Sequence, residues 1–292
     1  MELHQLRYFV AVARTGNFSR AAERCHVSQP SLSQQILKLE RHLGQRLLNR
    51  LGRRAVLTDA GRLLLDRATA ILAAVEDAHR RLVDDAGAGT GRLAIGAIPT
   101  IAPYLLPPAL KRFARCYPQV EVSVQEDVTR NLIAAVLEGE LDLALVALPI
   151  TEERLEVEPL FSEPLLVAVP HGHPLTRRRK ITVQDVSAER FILLNEMHCL
   201  GEQVLSLCRA HDCQPQIACR SAQIATVQAL IALGQGISLL PEMACRADHS
   251  KRLVYRRVAP GPSQRTIAAI WHRHSYHSPA ADRFLAGLRH SA

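Results

Sequence analysis

Two helical patterns near the start of the chain are separated by almost no sequence, and this spacing limits the possible folds more than any other feature. The first pattern ends before His26-Val27, which predicts a tight turn. Ser28 is then a suitable N-cap, and Pro30 lies in the first turn of the next helix, where its missing N–H breaks no hydrogen bond. Two helices joined in this way predict a helix-turn-helix unit.

The second of these helices has one apolar face and one polar face. Leu32, Ile36, Leu39 and Leu43 recur at helical spacing, and Gly44 ends the helix. The start of the helix and its polar face carry the candidate DNA-contacting residues, which are Gln29, Pro30, Ser31, Ser33, Gln34 and Lys38. Amide and hydroxyl groups can read base edges, whereas basic groups reach phosphates. A solvated helix face is the alternative, but the position directly after the turn favours DNA.

A basic hairpin follows. The segment LLNRLGRRAVLT contains two β-prone runs around Leu51-Gly52, and this pattern predicts a wing with Arg50 and Arg53 as further DNA-contacting residues. Residues 1–58 hold ten Lys and Arg against three Asp and Glu, a net charge of +7, whereas the rest of the chain has a net charge of +1. Such an excess is typical of a surface that binds phosphates, although a membrane surface or an acidic protein could also attract it.

A long helix then begins after Thr58, its predicted cap, and runs to about Asp85. Its apolar side consists of Leu64, Ala68, Ile71, Val75, Ala78 and Leu82. A long apolar seam without a neighbour in its own small domain predicts pairing with the same helix of a second copy. The glycine-rich segment 87–91 predicts a flexible linker.

The basic end of the chain resembles a known family. The stretch FVAVARTGNFSRAAERCHVSQPSLSQQILKLERHLGQRLLNR, continued by Arg53, Leu57-Thr58 and Ala60-Gly61, is similar to the winged helix-turn-helix of LysR-type transcriptional regulators. The resemblance implies a protein that binds double-stranded promoter DNA, works with RNA polymerase and forms a homodimer or, more usually, a homotetramer. It also implies a C-terminal domain that resembles periplasmic binding proteins and senses a small effector, with no enzymatic activity and no cofactor.

Composition places such a protein in the cytoplasm. No run approaches the roughly 18 apolar residues of a membrane span, and MELHQLRYFV lacks the basic-then-apolar profile of a secretory signal. We therefore expect no membrane partner. Cytoplasmic thiols are normally reduced, and the seven cysteines are unevenly spaced, so a structural disulfide framework is not expected.

The rest of the chain predicts an α/β fold. RLAIGAI, VEVSVQ and LDLALVAL read as strands separated by helices near 104–116 and 129–139, and this alternation predicts a mostly parallel sheet with ligands at the carboxyl ends of its strands. Thr100 and Thr129 would donate hydrogen bonds in a cleft there, or simply cap helices. The expected division is a winged helix-turn-helix over 1–58, a linker helix and hinge over 59–91, and a two-lobed regulatory domain over 92–292, with lobe I at 92–162 and 266–292 and lobe II at 163–265.

A second resemblance concerns the effector. The segment FILLNEMHCLGEQVLSLCRAHDC is similar to the redox loop of peroxide-sensing LysR-type activators, in which a cysteine after a histidine precedes a second cysteine by nine residues. The resemblance implies a reversible disulfide between Cys199 and Cys208, with hydrogen peroxide as signal and a reductant such as glutaredoxin or thioredoxin. Oxidation would activate antioxidant genes. The residues implied to hold peroxide or support the thiolate are Thr100, Thr129, His198, Gln203 and Arg265.

The residues themselves add a geometric condition. Cys199 begins a helical pattern in which Leu200, Val204 and Leu207 are the expected buried face, and a helix N-terminus stabilises an anion. Nine helical steps separate two residues by about 13.5 Å and about 180°, so a disulfide to Cys208 would require the helix to unwind. Cys213 could compete as the second thiol. The remaining cysteines, Cys25, Cys116, Cys219 and Cys245, are expected to be small buried hydrophobes.

Three alternatives to peroxide sensing by a regulator remain open. A peroxidase would use a reactive cysteine but leaves the helix-turn-helix without a purpose, and peroxide turnover with reductant would reveal it. His198, Cys199, Cys208, His211 and Cys213 could bind zinc, although their spacing matches no compact zinc module. A LysR-type regulator that binds a small organic effector in the same cleft is the main competitor.

Overall fold

The computed structural model describes residues 1–51, 54–84, 90–195, 199–210, 214–259 and 264–289. The chain divides into two compact units, Met1–Val83 and Asp84–Ala292. No helix within the described ranges is both long and apolar enough to cross a membrane.

The first unit is a winged helix-turn-helix. Its elements are α1 (Leu3–Thr15), α2 (Phe18–Arg24), α3 (Gln29–Leu43), β1 (Leu48–Leu51), β2 (Arg54–Leu57) and α4 (Asp59–Asp84). His26 adopts a positive φ of 55° in the turn, and the Ser28 hydroxyl accepts the Ser31 N–H at 3.3 Å. Gly44 ends α3 in the left-handed conformation. The predicted helix-turn-helix, cap and hairpin are confirmed.

The apolar faces of α1, α2 and α3 form the core of this unit, and Leu32, Ile36 and Leu39 have no exposed surface. Leu43 is 36% exposed, so its predicted place in the buried stripe is wrong. It is the last residue of α3, one turn beyond the last buried position. Glu40 anchors the wing, because one carboxylate oxygen accepts the N–H groups of residues 47 and 48 at 2.8 and 3.2 Å.

The long helix α4 begins as predicted, since the Thr58 hydroxyl accepts the Gly61 N–H at 3.0 Å. The exposure of its apolar seam changes along the helix. Ala68 is fully buried in the core of its own unit, so the expectation that the seam has no neighbour there is wrong for the first turns. One turn further on, Ile71 and Val75 are 38% and 41% exposed. The apolar seam is therefore open to a partner only in its second half.

The second unit has seven α-helices and nine strands in its described part. They are β3 (Thr90–Ala97), α5 (Ala102–Cys116), β4 (Gln119–Glu126), α6 (Thr129–Leu137), β5 (Leu143–Ala147), β6 (Leu155–Pro170), α7 (Val183–Ser187), β7 (Arg190–Leu194), α8 (Cys199–Arg209), β8 (Gln216–Ser221), α9 (Ile224–Ala232), β9 (Ser238–Pro241), α10 (Glu242–Arg246), β10 (Leu253–Arg257), β11 (Gln264–His272) and α11 (Pro279–Arg289). Thr90 and Gly91 pair with β4, so the predicted linker is wrong at these two residues.

The main sheet has the order β10-β6-β11-β5-β3-β4, with β9 also paired to β6. The pairs β3–β4 and β3–β5 are parallel, but β11 runs antiparallel to both β5 and β6. The predicted mostly parallel sheet is therefore wrong: the sheet is mixed. The reason is the 16-residue strand β6, whose first part pairs with β11 and whose last part pairs with β10 and β9.

Two apolar cores flank these long strands. One contains buried residues from 93–155 and 267–288, and the other contains buried residues from 165–258. Helices α5, α6 and α11 contribute to the first core, whereas α8, α9 and α10 contribute to the second. The predicted α/β class is confirmed, and β6 contributes buried residues to both cores.

Candidate functional site

Three neighbouring strands end at one edge of the first core. β3, β4 and β5 are parallel, and their carboxyl ends are followed by Thr100, Thr129 and Leu148. The Asp127 N–H donates to the Ala97 carbonyl at 3.4 Å, which ties the start of α6 to the end of β3. The edge at the carboxyl ends of parallel strands is the usual ligand-binding position in such sheets.

A buried ion pair lies beside this edge. The Arg265 side chain has no exposed surface, and its Nε donates to Oε1 of Glu163 at 2.8 Å. Its Nη1 donates to the Thr100 hydroxyl at 2.7 Å, and its Nη2 donates to the Thr100 carbonyl at 2.9 Å. The second Glu163 oxygen accepts the Met243 N–H at 2.9 Å. A buried charge is tolerated only when it is paired and hydrogen-bonded in this manner.

Glu163 is the partner that the sequence pattern did not identify. It lies in the middle of β6, immediately before the buried residues of the second core. In the sequence, the one indication of its role is an acidic residue next to an apolar strand segment. Nothing in the local pattern indicates that its partner would be Arg265, which lies on a different strand 102 residues away.

Helix α8 brings a further polar side chain to the same edge. Gln203 donates from Nε2 to the Leu148 carbonyl at 2.9 Å. Leu200 and Val204 are buried, as predicted, and Cys208 continues their stripe with 1% exposure. The Leu207 side chain lies outside the described part of the chain. The spacing of four residues from 200 to 204 to 208 indicates that Cys208 faces the core, although it was not among the residues expected to be buried.

Two buried oxygen atoms at this site have no hydrogen-bond partner within the described ranges. They are the Thr129 hydroxyl and Oε1 of Gln203. The alternative that the two threonines cap helices is wrong, because the N-caps of α5 and α6 are Ile101 and Val128, without side-chain bonds. Buried polar atoms are normally paired, so two orphaned ones leave room for a small polar ligand.

Cys199 is the first residue of α8, as predicted. Residues 199 and 203 are one turn apart and therefore share a face of the helix. The Cys199 side chain and the whole of His198 lie outside the described part. Gly201 allows the helix to start here, because a Cβ at this position would lie 2.4 Å from the Leu194 carbonyl oxygen at the end of β7.

The other described cysteines differ from one another. Cys245 is 7% exposed, and burial raises the pKa of its thiol far above the usual range, so it is an inert core residue as expected. Cys25 and Cys219 are half-buried, and Cys116 is exposed, so the prediction of a buried residue is wrong for Cys116. The position explains this, since Cys116 ends α5 at the surface.

A metal site finds no support in the described part of the chain, where no group of His, Cys, Asp and Glu side chains is arranged to hold an ion. His198, His211 and Cys213 of the zinc hypothesis lie outside that part. The zinc hypothesis is therefore to be tested by a metal analysis of the pure protein.

The candidate DNA surface is largely exposed. Gln29, Pro30, Ser31, Gln34 and Lys38 are all exposed on α3. Ser33 is half-buried, and its hydroxyl accepts a bond from Arg50 Nη1 at 3.0 Å. The Arg50 guanidinium also lies 4.6 Å from the centroid of the Phe18 ring. Arg50 thus joins the wing to the helices, and Arg53 lies outside the described residues.

The comparison with known proteins identifies the class. Residues 3–62 match the family described as bacterial regulatory helix-turn-helix protein, lysR family, and residues 86–292 match the LysR substrate binding domain. The chain belongs to the LysR family of DNA-binding transcriptional regulators.

Within this family the chain is similar to OxyR proteins. It is 35% identical over 272 residues to the DNA-binding transcriptional dual regulator OxyR of Escherichia coli, covering 93% of this chain and 89% of that one. A full-length OxyR variant of Pseudomonas aeruginosa superposes with a TM-score of 0.79 at 34% identity, covering 99% and 95% of the two chains. A peroxide-bound OxyR mutant of Corynebacterium glutamicum gives 0.67 at 31% identity, covering 99% and 92%.

The buried ion pair makes a prediction for stability. Glu163→Gln should lower the free energy of unfolding by about 3–5 kcal/mol, because it leaves the Arg265 charge buried without a counter-ion. Glu152→Gln is the matched control, since the Arg154 guanidinium lowers the pKa of that carboxyl in an exposed pair. The control should change stability by less than about 1 kcal/mol. Urea denaturation measures both, and equal effects would contradict the role of the buried pair.

Proposed function

We propose that this regulator senses hydrogen peroxide through Cys199 and answers by changing its contacts with promoter DNA. The proposal rests on two buried oxygen atoms that have no hydrogen-bond partner in the described part of the chain, the Thr129 hydroxyl and Oε1 of Gln203. They lie at the strand edge where Gln203 donates to the Leu148 carbonyl. Cys199 is one turn from Gln203 on the same helix face. The similarity to OxyR proteins, one of them with peroxide bound, supports the same assignment.

Hydrogen peroxide suits these groups because it both donates and accepts hydrogen bonds at each of its two oxygens. In the proposed reaction the Cys199 thiolate attacks one oxygen, the O–O bond breaks, and the departing hydroxide takes a proton to become water. Cys199 is left as a sulfenic acid. Thr100, Thr129 and Gln203 would orient the peroxide. Arg265 and His198 would favour the thiolate electrostatically, and the N-terminus of α8 would add to that effect.

The second step consumes the thiol of Cys208. Its sulfur attacks the sulfenic sulfur, a disulfide forms, and water leaves. A dithiol reductant such as thioredoxin or glutaredoxin then returns two electrons and restores both thiols. Cys208 is buried in the second core and lies nine residues along one continuous helix. Cysteine Cα atoms must approach within about 7 Å for a disulfide, whereas nine helical steps span about 13.5 Å, so α8 must unwind first.

The unwinding supplies the signal. It removes Leu200 and Val204 from the second core and so changes the surface that the regulatory unit offers to a neighbouring copy. We propose that α4 holds a homodimer together through Ile71 and Val75, that two dimers form a tetramer, and that the oxidised form helps RNA polymerase at antioxidant promoters. The domain limits and the two lobes given above belong to this proposal.

A prediction for DNA binding compares α3 with the wing. Gln34→Ala should weaken operator binding by about 1–3 kcal/mol and spare nonspecific DNA, since an exposed amide reads bases. Arg50→Ala should weaken binding to both DNAs and reduce the salt dependence, since a phosphate contact is lost. Titrations at several salt concentrations measure this. Parental binding by both variants would show that another surface contacts DNA.

A prediction for sensing uses two cysteine variants. Cys199→Ser should bind operator DNA normally and lose the peroxide-dependent change in transcription, because the nucleophile is gone. Cys116→Ser is the matched control, since Cys116 is an exposed thiol at the opposite end of α5 from Thr100, and it should keep the full response. Reporter transcription with and without peroxide measures both variants. A normal response from Cys199→Ser would instead favour a regulator of the same family that binds a small organic effector.

A further inference from the structure

A cavity lies on the first core, between α5 and α11. Its volume is about 580 Å³, within the range of about 300–1,000 Å³ that is usual for small-molecule sites. It is lined by Ala109, Arg112, Phe113, Cys116, Tyr117, Arg283, Phe284, Ala286 and Gly287. Thr100 precedes α5, whereas Cys116 ends it, so the length of this helix separates the cavity from the site near Cys199.

The apolar wall of the cavity is an aromatic cluster. Phe113 and Phe284 are 6% and 2% exposed, and their rings meet edge to face with centroids 5.6 Å apart. The Tyr117 ring lies 5.1 Å from Phe113 on the other side. Aromatic rings in this arrangement offer a large apolar surface on which a ligand can pack.

The polar side chain considered for ligand binding, Arg283, lies against an aromatic ring. The Arg283 guanidinium carbon lies 5.0 Å from the centroid of the Tyr117 ring. A guanidinium stacked on a ring keeps its N–H edge available for a carboxylate, which it can bind through two parallel hydrogen bonds. Arg112 is the other basic residue among the lining residues that the structure describes, and none of these is Asp or Glu.

Gly287 lies at the edge of the cavity. It lies inside α11, where glycine is less favourable than alanine. A Cβ at this position would meet no atom within 4 Å in the described part of the chain. A larger side chain can therefore be introduced at the cavity edge without a clash among the described residues.

We propose that this cavity binds a small amphipathic carboxylate. An aromatic or aliphatic group would pack on Phe113 and Phe284, and the carboxylate would pair with Arg283. The site contains neither Cys199 nor Cys208, so the regulator would receive a second, non-redox input at the first core.

The test is calorimetric titration of the full-length protein with two probes, cinnamate and octanoate, each compared with its neutral amide. Both acids should bind once per chain, and the amides should bind at least about tenfold more weakly. Arg283→Gln should weaken the acids by a similar factor and leave the amides unchanged. Arg115→Gln is the control, because it removes the same charge from a residue of α5 that does not line the cavity. This variant should bind both acids like the parent.

A second variant tests the location. Gly287→Leu should fill the cavity and abolish binding of both acids, with an unchanged circular dichroism spectrum. Saturating cinnamate should also slow alkylation of Cys116, measured peptide by peptide. No binding of either acid, equal binding of acids and amides, or parental affinity in Arg283→Gln would overturn the proposal. A change of oligomeric state in Gly287→Leu would also overturn it, because the cavity would then be a contact between copies.

Discussion

A guanidinium without any exposed side-chain surface is the constraint on which the regulatory unit depends. Arg265 must be paired where it lies, and its partners come from separate parts of the fold: Glu163 from β6 and Thr100 from the segment after β3. Residue 266 extends the link, since its carbonyl accepts the Leu148 N–H at 2.9 Å, and Leu148 in turn holds Gln203 of α8. The ion pair therefore sets the position of the candidate peroxide site relative to both cores.

The helix that carries both cysteines makes the proposed sensor reversible. The proposed unwinding of α8 would expose Leu200 and Val204, and burial of such side chains is worth about 1.5–3 kcal/mol each. For a two-electron couple about 30 mV corresponds to 1.4 kcal/mol, so this loss raises the reduction potential of the disulfide by about 60–130 mV. A packed α8 thus makes the oxidised form easier to reduce, which is the property that a signal of limited duration requires.

Local patterns were sufficient for much of this structure. The Ser28 cap, the start of α8 at Cys199 and the strand before Thr100 follow from residues close in sequence. The features that could not be predicted depend on contacts between distant parts of the chain. Glu163 pairs with Arg265 across 102 residues, and the direction of β11 depends on pairing with β6 rather than on its own composition. The burial of Cys208 could have been predicted, because residue 208 continues the four-residue spacing of the buried residues 200 and 204.

Hydrogen exchange of α8 before and after stoichiometric peroxide, with disulfide mapping of the same samples, tests the central claim most directly. The proposed sensor predicts a bond between Cys199 and Cys208 together with faster exchange across residues 199–213, because the bond cannot close on an intact helix. The peptide that contains Cys116 should be unchanged and serves as the internal reference. A Cys199–Cys208 bond that formed without any change in exchange would contradict the refolding mechanism, and peroxide treatment that left both thiols free would contradict the sensor itself.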